Sequence, residues 1–150
     1  MKRTVFLLTL MGVVFLVTGT ALAMTVRCSG GVCNGTEEVD RIFGSASDEI
    51  INAGDGNDEV FGRGRRDVIR GELGKDEIYG QRGNDGLKGS PGADKVFGGP
   101  GDDIVRGGTH TLVDDGRRDI LDCGEGDMDT VYYTPDEDVI RHCENRNPPQ

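Results

Sequence analysis

Starting from Gly35, the chain can be written in rows of nine residues without a gap, and eight rows follow one another: GTEEVDRIF, GSASDEIIN, AGDGNDEVF, GRGRRDVIR, GELGKDEIY, GQRGNDGLK, GSPGADKVF and GGPGDDIVR. The first position is Gly in seven rows, with Ala53 the exception. The sixth is acidic in all eight: Asp40, Glu49, Asp58, Asp67, Asp76, Asp85, Asp94 and Asp103. The eighth is always aliphatic: Ile42, Ile51, Val60, Ile69, Ile78, Leu87, Val96 and Val105. Acids make up 27 of 150 residues, so eight in register arise by chance about once in a million, before the choice of frame. A tandem repeat of this kind outranks any local propensity and demands that one small unit be stacked on copies of itself.

The unit is longer than one row. Position nine is aromatic in odd rows (Phe43, Phe61, Tyr79, Phe97) and polar in even rows (Asn52, Arg70, Lys88, Arg106). Position seven is polar in odd rows (Arg41, Glu59, Glu77, Lys95) and apolar in even rows (Ile50, Val68, Ile104), with Gly86 breaking the pattern. Two rows, or eighteen residues, therefore form one coil of turn, short strand, turn, short strand. Odd strands stack into one sheet and even strands into another, with the eighth-position aliphatics pointing inward from both. The expected fold is all-β, a parallel β-roll or two-sheet β-solenoid with 18-residue coils. Four coils at about 4.8 Å each give roughly 19 Å of stack, and the shared core means no row is stable alone. The chain holds 25 Gly, five Phe, three Tyr and no Trp. That leaves little to fill a larger core, and the aromatic column is read here as marking one sheet of a thin one.

The stacking dictates chemistry. Asp40, Asp58, Asp76 and Asp94 fall in one column about 5 Å apart, and Glu49, Asp67, Asp85 and Asp103 in another. Two like charges at that distance repel by about 3 kcal/mol at an effective dielectric near 20. Such columns call for something positive between the coils. Hard oxygen ligands at glycine turns suit Ca²⁺, which takes carboxylates and backbone carbonyls at about 2.3–2.6 Å; Mg²⁺ demands octahedral geometry and keeps its waters. Gly56, Gly74, Gly83, Gly92 and Gly101, all at the fourth position, allow backbone angles that aim carbonyls inward.

The rows resemble the glycine- and aspartate-rich nonapeptide of the RTX, or hemolysin-type, calcium-binding proteins, G-G-x-G-x-D-x-U-x. AGDGNDEVF and GGPGDDIVR match best, and the resemblance covers residues 35–106. It implies a right-handed parallel β-roll with Ca²⁺ held between successive turns by the sixth-position acid and turn carbonyls. On that resemblance the ligands are Asp58, Asp76, Asp85, Asp94 and Asp103, whose rows keep the fourth-position Gly. Asp67, Asp40 and Glu49 are weaker candidates. Row one has Glu37-Glu38 where glycine is expected, and row two has Ser47 and Glu49. Row four carries Gly64-Arg65-Arg66-Asp67, where an Arg–Asp pair replacing the ion is as good a reading as a calcium site. The sequence looks like a secreted, Cys-bounded actinobacterial variant of the family rather than one with a C-terminal export signal.

The ends carry the address and the staples. Lys2 and Arg3, an apolar run from Val5 to Val17 and Ala21-Leu22-Ala23 read as a secretory signal peptide, residues 1–23, cleaved after Ala23. Thirteen apolar residues are short of the roughly twenty that a membrane anchor needs. Removal takes away two cations and no acid, which leaves the mature chain at −12 against −10 for the whole. Such a charge disfavours nucleic acid and anionic membrane surfaces as partners. Cys28, Cys33, Cys123 and Cys143 lie in the exported part, and an even number there reads as two disulfides. Three pairings are possible, and proximity favours Cys28–Cys33 and Cys123–Cys143; a metal cluster is the other option. Residues 24–34 are expected to form an N-terminal cap. Residues 107–150 are expected to start with a loop, Gly107–Asp115, continue the roll irregularly and end in a C-terminal cap.

Catalytic signatures are missing. His110 and His142 belong to no H-E-x-x-H zinc motif, and no serine sits in a G-x-S-x-G elbow. Asp102-Asp103 and Asp114-Asp115 could serve a glycosidase, but a repeat acid and a turn explain them. Asn34-Gly35-Thr36 is a glycosylation sequon and nothing more. The expectation is a secreted, non-catalytic calcium-binding protein whose protein or polysaccharide partner the sequence does not specify. The other readings are an adhesin with calcium as stiffener, marked by an exposed apolar or aromatic patch; an ice- or polymer-binding solenoid; and an accessory module of a calcium-dependent hydrolase, marked by a buried acid pair away from the turns.

Overall fold

The computed structural model describes residues 9–10, 13–14, 23–108, 116–135 and 137–147. Two two-residue strands, β1 (Thr9–Leu10) and β2 (Val13–Val14), pair with each other antiparallel. Apart from these four residues and Ala23, the segment read as a signal peptide lies outside the described residues, as do His110 and most of the loop at 107–115.

The remaining strands form two parallel sheets of seven. The odd sheet contains β3 (Met24–Arg27), β5 (Asp40–Phe43), β7 (Glu59–Gly64), β9 (Glu77–Arg82), β11 (Lys95–Pro100), β13 (Ile120–Glu125) and β15 (Val139–Arg141). The even sheet contains β4 (Gly31–Asn34), β6 (Glu49–Asp55), β8 (Val68–Leu73), β10 (Gly86–Lys88), β12 (Ile104–Arg106), β14 (Thr130–Tyr132) and β16 (Asn145–Asn147). The chain alternates between the sheets, so each strand pairs with the strand two earlier and two later. No helix occurs among the described residues. This is the parallel β-roll that the eighteen-residue period requires.

Register follows the repeat. Ile42, Val60, Ile78, Val96 and Leu121 align across the odd sheet. Cys33, Ile51, Ile69, Leu87, Val105 and Val131 align across the even one. Apart from Cys33 at 9%, these side chains have no solvent exposure. Each such aliphatic contributes about 1.5–3 kcal/mol by leaving water, and it can do so only while a neighbour covers it. The register survives beyond the rows: Val96 pairs with Leu121 and Leu121 with Ile140. The additional residues between β12 and β13, several of them outside the described residues, leave the register of the stack unchanged. Residues 24–34 supply one strand to each sheet, and Cys28–Cys33 joins them, with Cα atoms 5.7 Å apart. Cys123–Cys143 ties β13 to the C-terminal end at 5.2 Å. Both pairings are those that proximity favours.

The aromatic column departs from the expectation. Phe43, Phe61, Tyr79 and Phe97 are half-buried on the outer face of the odd sheet, because position nine points opposite to position eight in a pleated strand. Their rings stack face to face at centroid distances of 5.1, 5.1 and 4.9 Å. Each such pair adds about 0.5–1.5 kcal/mol. Beside them, Arg41–Glu59 at 2.6 Å and Lys95–Glu77 at 3.6 Å bridge neighbouring coils; exposed pairs of this kind contribute less than about 1 kcal/mol. The column therefore binds coil to coil from outside and leaves the core to the aliphatics.

Turn sterics give a direct test. Gly74 has φ of 142°, and a Cβ there would stand 1.4 Å from the Gly56 carbonyl oxygen. Gly64, one position earlier in its own turn, would place a Cβ no closer than 3.8 Å to anything. Thermal melts in calcium should show Gly74→Ala losing about 3 kcal/mol or more and Gly64→Ala changing by less than about 0.5 kcal/mol.

Candidate metal centre

Each of the eight rows delivers one carboxylate to the inside. The sixth residue precedes the strand whose eighth residue faces the core, so its side chain also points inward, at the mouth of its own turn. All eight sixth-position acids of the rows are at most 2% exposed.

The carboxylates of a column do not face one another. One oxygen of each accepts the backbone N–H of the acid one coil earlier. Asp58 Oδ1 accepts from Asp40 at 2.8 Å, Asp76 from Asp58 at 3.0 Å and Asp94 from Asp76 at 2.9 Å. In the other column Asp67 accepts from Glu49 at 2.9 Å, Asp85 from Asp67 at 2.8 Å and Asp103 from Asp85 at 2.7 Å. Two hydrogen-bonded ladders replace the bare stacks of charge drawn from the sequence, and part of the repulsion expected between coils is offset by these amides.

The second oxygen is different. Oδ2 of Asp58, Asp67, Asp76, Asp85 and Asp103 is buried with no hydrogen-bond partner. For Asp67, Asp76, Asp85 and Asp103 it lies beside the first-position glycine of its own turn, next to a carbonyl of the neighbouring coil. A Cβ placed on Gly71 would meet Asp76 Oδ2 at 2.2 Å and Gly89 O at 2.5 Å; on Gly80, Asp85 Oδ2 at 2.5 Å and Gly98 O at 2.7 Å; on Gly62, Asp67 Oδ2 and Gly80 O, both at 2.7 Å. The first-position glycine thus keeps open a cradle in which a carboxylate oxygen and a carbonyl oxygen converge. A buried acceptor without a donor costs about 1–3 kcal/mol, more when charged. Two hard oxygens converging on a cradle of that size fit a divalent cation such as Ca²⁺.

The fourth-position carbonyls are also between coils. Gly56 O, Arg65 O, Gly74 O and Gly83 O occupy the places where Cβ atoms of Gly74, Gly83, Gly92 and Gly101 would stand. They face along the stack, toward the next coil, and not inward to the core as the sequence suggested. Among the described residues no three acidic, His or Cys side chains converge on one point. Carbonyls must therefore supply most of any coordination shell.

The weaker candidates separate. Arg65 takes the fourth position of row four with φ of 73°, against 135–142° at Gly56, Gly74, Gly83 and Gly101, yet its carbonyl oxygen reaches the corresponding place, 1.5 Å from where a Cβ of Gly83 would stand. The Arg65 and Arg66 side chains are exposed, Asp67 Oδ2 has no hydrogen-bond partner, and no Arg–Asp pair forms there. Asp67 is thereby placed like Asp85. Asp40 turns Oδ2 onto Thr36 N at 2.6 Å and Thr36 Oγ1 at 2.9 Å. Glu49 turns back onto Ser45 N, at 3.0 Å from Oε2, and onto the Ser45 hydroxyl. Glu49 is thus satisfied within its own turn, whereas Asp40 keeps its other oxygen, Oδ1, buried with no hydrogen-bond partner.

The columns run further than the rows. Asp119 accepts from Asp94 N at 2.8 Å, Asp129 from Asp103 N at 2.6 Å, Asp138 from Asp119 N at 3.0 Å and Glu144 from Asp129 N at 3.1 Å. Asp129 is fully buried and its Oδ2 has no hydrogen-bond partner. None of these four stands among the ligands read from the rows. The signal was an acid two places before an aliphatic, as in Asp119-Ile120-Leu121 and Asp129-Thr130-Val131, the second preceded by Gly124 and Gly126.

Burial pushes these carboxyls up from 3.8: Asp58 and Asp85 to about 6, Asp67, Asp76 and Asp103 to about 7. Loss of hydration is the largest cause in each. The amide from the preceding coil pulls the other way and is outweighed.

The family model for the RTX calcium-binding nonapeptide repeat matches the chain in four copies, at residues 34–64, 54–87, 61–94 and 83–109. No curated protein and no solved structure matches it. The proteins of that family bind Ca²⁺.

Raised folded-state pKa values make the metal-free fold pH-sensitive with a definite sign. Between 3.8 and about 6–7 the folded chain holds protons that the unfolded chain has released, so stability falls as pH rises through that window. In chelator the chain should melt higher at pH 5.5 than at pH 7.5. In saturating Ca²⁺, which needs the carboxylates ionised, the order should reverse.

Proposed function

This chain belongs to the RTX calcium-binding nonapeptide repeat family, and we propose that it acts outside the cell as a non-catalytic β-roll whose folding is coupled to extracellular calcium. The observation that carries this reading is the unpartnered buried Oδ2 of Asp67, Asp76, Asp85 and Asp103, each beside a carbonyl of the next coil. Asp58, Asp76, Asp85, Asp94 and Asp103 hold the ions on this reading, joined by Asp67, with fourth-position carbonyls from Gly56, Gly74 and Gly83 and the first-position carbonyls beside them. Bound Ca²⁺ supplies the positive charge that these buried oxygens otherwise lack.

The chain's own groups explain the coupling. Above pH 7 the carboxylates must ionise inside the turns, and amides satisfy one oxygen of each. The other remains a penalty that grows with every coil. Where free calcium is scarce that penalty keeps the chain loose. At the millimolar calcium of an extracellular medium, and for site affinities of about 10⁻⁴–10⁻³ M, it is removed. Lys2, Arg3 and the apolar run behind them support export, and the two disulfides support an oxidising destination.

A non-catalytic role is supported by where the acids lie. Every buried acid among the described residues belongs to one of the two turn columns. His142 is exposed and pairs with Asp122 at 2.8 Å. A second reading, a partner-binding module stiffened by calcium, is favoured by one feature: Val32, Ile50, Val68 and Ile104 form an exposed apolar column on the even sheet. The aromatic column does not favour it, because the ring faces are spent on one another.

Far-UV circular dichroism of the mature chain should show a cooperative gain of β signal with Ca²⁺ and little with Mg²⁺. Asp76→Asn should raise the calcium midpoint several-fold, whereas Glu49→Gln, whose carboxyl is already satisfied by Ser45, should leave it close to wild type. A fully folded chelated chain that ignores Ca²⁺ would sink the proposal.

A further inference from the structure

The outer face of the even sheet carries a gap that the fold does not need. Its seventh-position column runs Val32, Ile50, Val68, Gly86, Ile104 in register. The four aliphatics are 66, 42, 36 and 41% exposed. Gly86 interrupts them without a backbone reason. It is not among the residues with positive φ, and a Cβ there would meet nothing nearer than Asp67 O at 3.9 Å. A glycine inside a strand weakens it and often marks a place where something else approaches the backbone closely.

The charge around the gap is equally selective. In a chain with 27 acids, the seventh and ninth positions of this face hold none from β4 through β14. Their three cations, Arg70, Lys88 and Arg106, stand on β8, β10 and β12, the strand with the gap and its two neighbours. Arg70 donates to Asn52 Oδ1 at 3.1 Å, and the Arg106 guanidinium lies 4.8 Å from the centre of the Tyr132 ring. Among the described residues none of the three forms an ion pair. Together with Val68 and Gly86 they line a hollow of about 400 Å³.

We propose that the Gly86 gap is a binding site for a small organic anion with a flat apolar body. The ring occupies the place of the missing seventh-position side chain, against Val68. The anionic group meets Lys88, with Arg70 and Arg106 on either side. Guanidinium planes accept both a ring face and a carboxylate, and a partly apolar concavity with a few convergent polar groups is the usual form of such sites. The site depends on the folded roll but not on which residues hold the calcium.

The test uses the mature chain in millimolar Ca²⁺, followed by ¹⁵N amide shifts, with 2-naphthoate as probe. Saturable shifts should cluster at Gly86–Lys88 and on the facing residues of β8 and β12. The neutral isostere 2-naphthalenemethanol and acetate alone should each bind at least about tenfold more weakly. Gly86→Val, which fills the gap with a strand-favouring side chain, should abolish binding while keeping or raising the melting temperature. Lys88→Gln should weaken binding about tenfold, and it covers the case of a Gly86→Val chain that does not fold. Calcium-dependent circular dichroism of each variant separates a failed site from a failed calcium fold. Scattered or absent shifts, equal binding of the neutral isostere, or unchanged binding in Gly86→Val would each overturn the proposal.

Discussion

At Asp58, Asp67, Asp76, Asp85 and Asp103 a carboxylate is buried with one oxygen satisfied and the other not, and the rest of the molecule follows from that arrangement. The ladder from Asp40 N to Asp58 Oδ1 and onward up the stack fixes the spacing and register of the coils. The first-position glycines exist to leave room for the second oxygen. A core of single aliphatics suffices because the turns, not the core, are where the coils are clamped. Without a cation the same oxygens oppose the fold, which makes stability conditional on the medium.

Everything else holds one coil to the next. The aromatic column, the Arg41–Glu59 and Lys95–Glu77 pairs and the inward aliphatics all act between neighbours eighteen residues apart. A stack of this kind is weakest at its ends, where a coil has one neighbour only. The two disulfides lie there. The first acid in each column has no earlier acid amide to bind: Asp40 turns one oxygen onto Thr36 and leaves the other unpartnered, and Glu49 turns back onto Ser45.

Period, sheet assignment, inward aliphatics and disulfide pairing were legible because each is a matter of spacing, and spacing is what a repeat displays. The two columns of sixth-position acids were legible for the same reason. The sequence could not show how each carboxylate divides its two oxygens, because that depends on which way an amide of the preceding coil points. It also misled on the Phe column, where scarcity of aromatics suggested the core although strand alternation places position nine outside. The continuation through Asp119, Asp129, Asp138 and Glu144 was only half visible. The acid-to-aliphatic spacing persists there, and Gly124 and Gly126 keep part of the glycine signature, but additional residues after Arg106 break the count of nine. Row four was undecidable from sequence, since nothing there shows that Arg65, at a different positive φ, brings its carbonyl to the place that the Gly56 and Gly74 carbonyls take in their own turns.

The most direct measurement is anomalous diffraction from crystals of the mature chain grown in calcium. The account predicts peaks in two columns, one beside each sheet, within about 2.3–2.6 Å of the second carboxylate oxygen of Asp58, Asp67, Asp76, Asp85 and Asp103. An intact roll in millimolar calcium with no anomalous density beside those oxygens would contradict it.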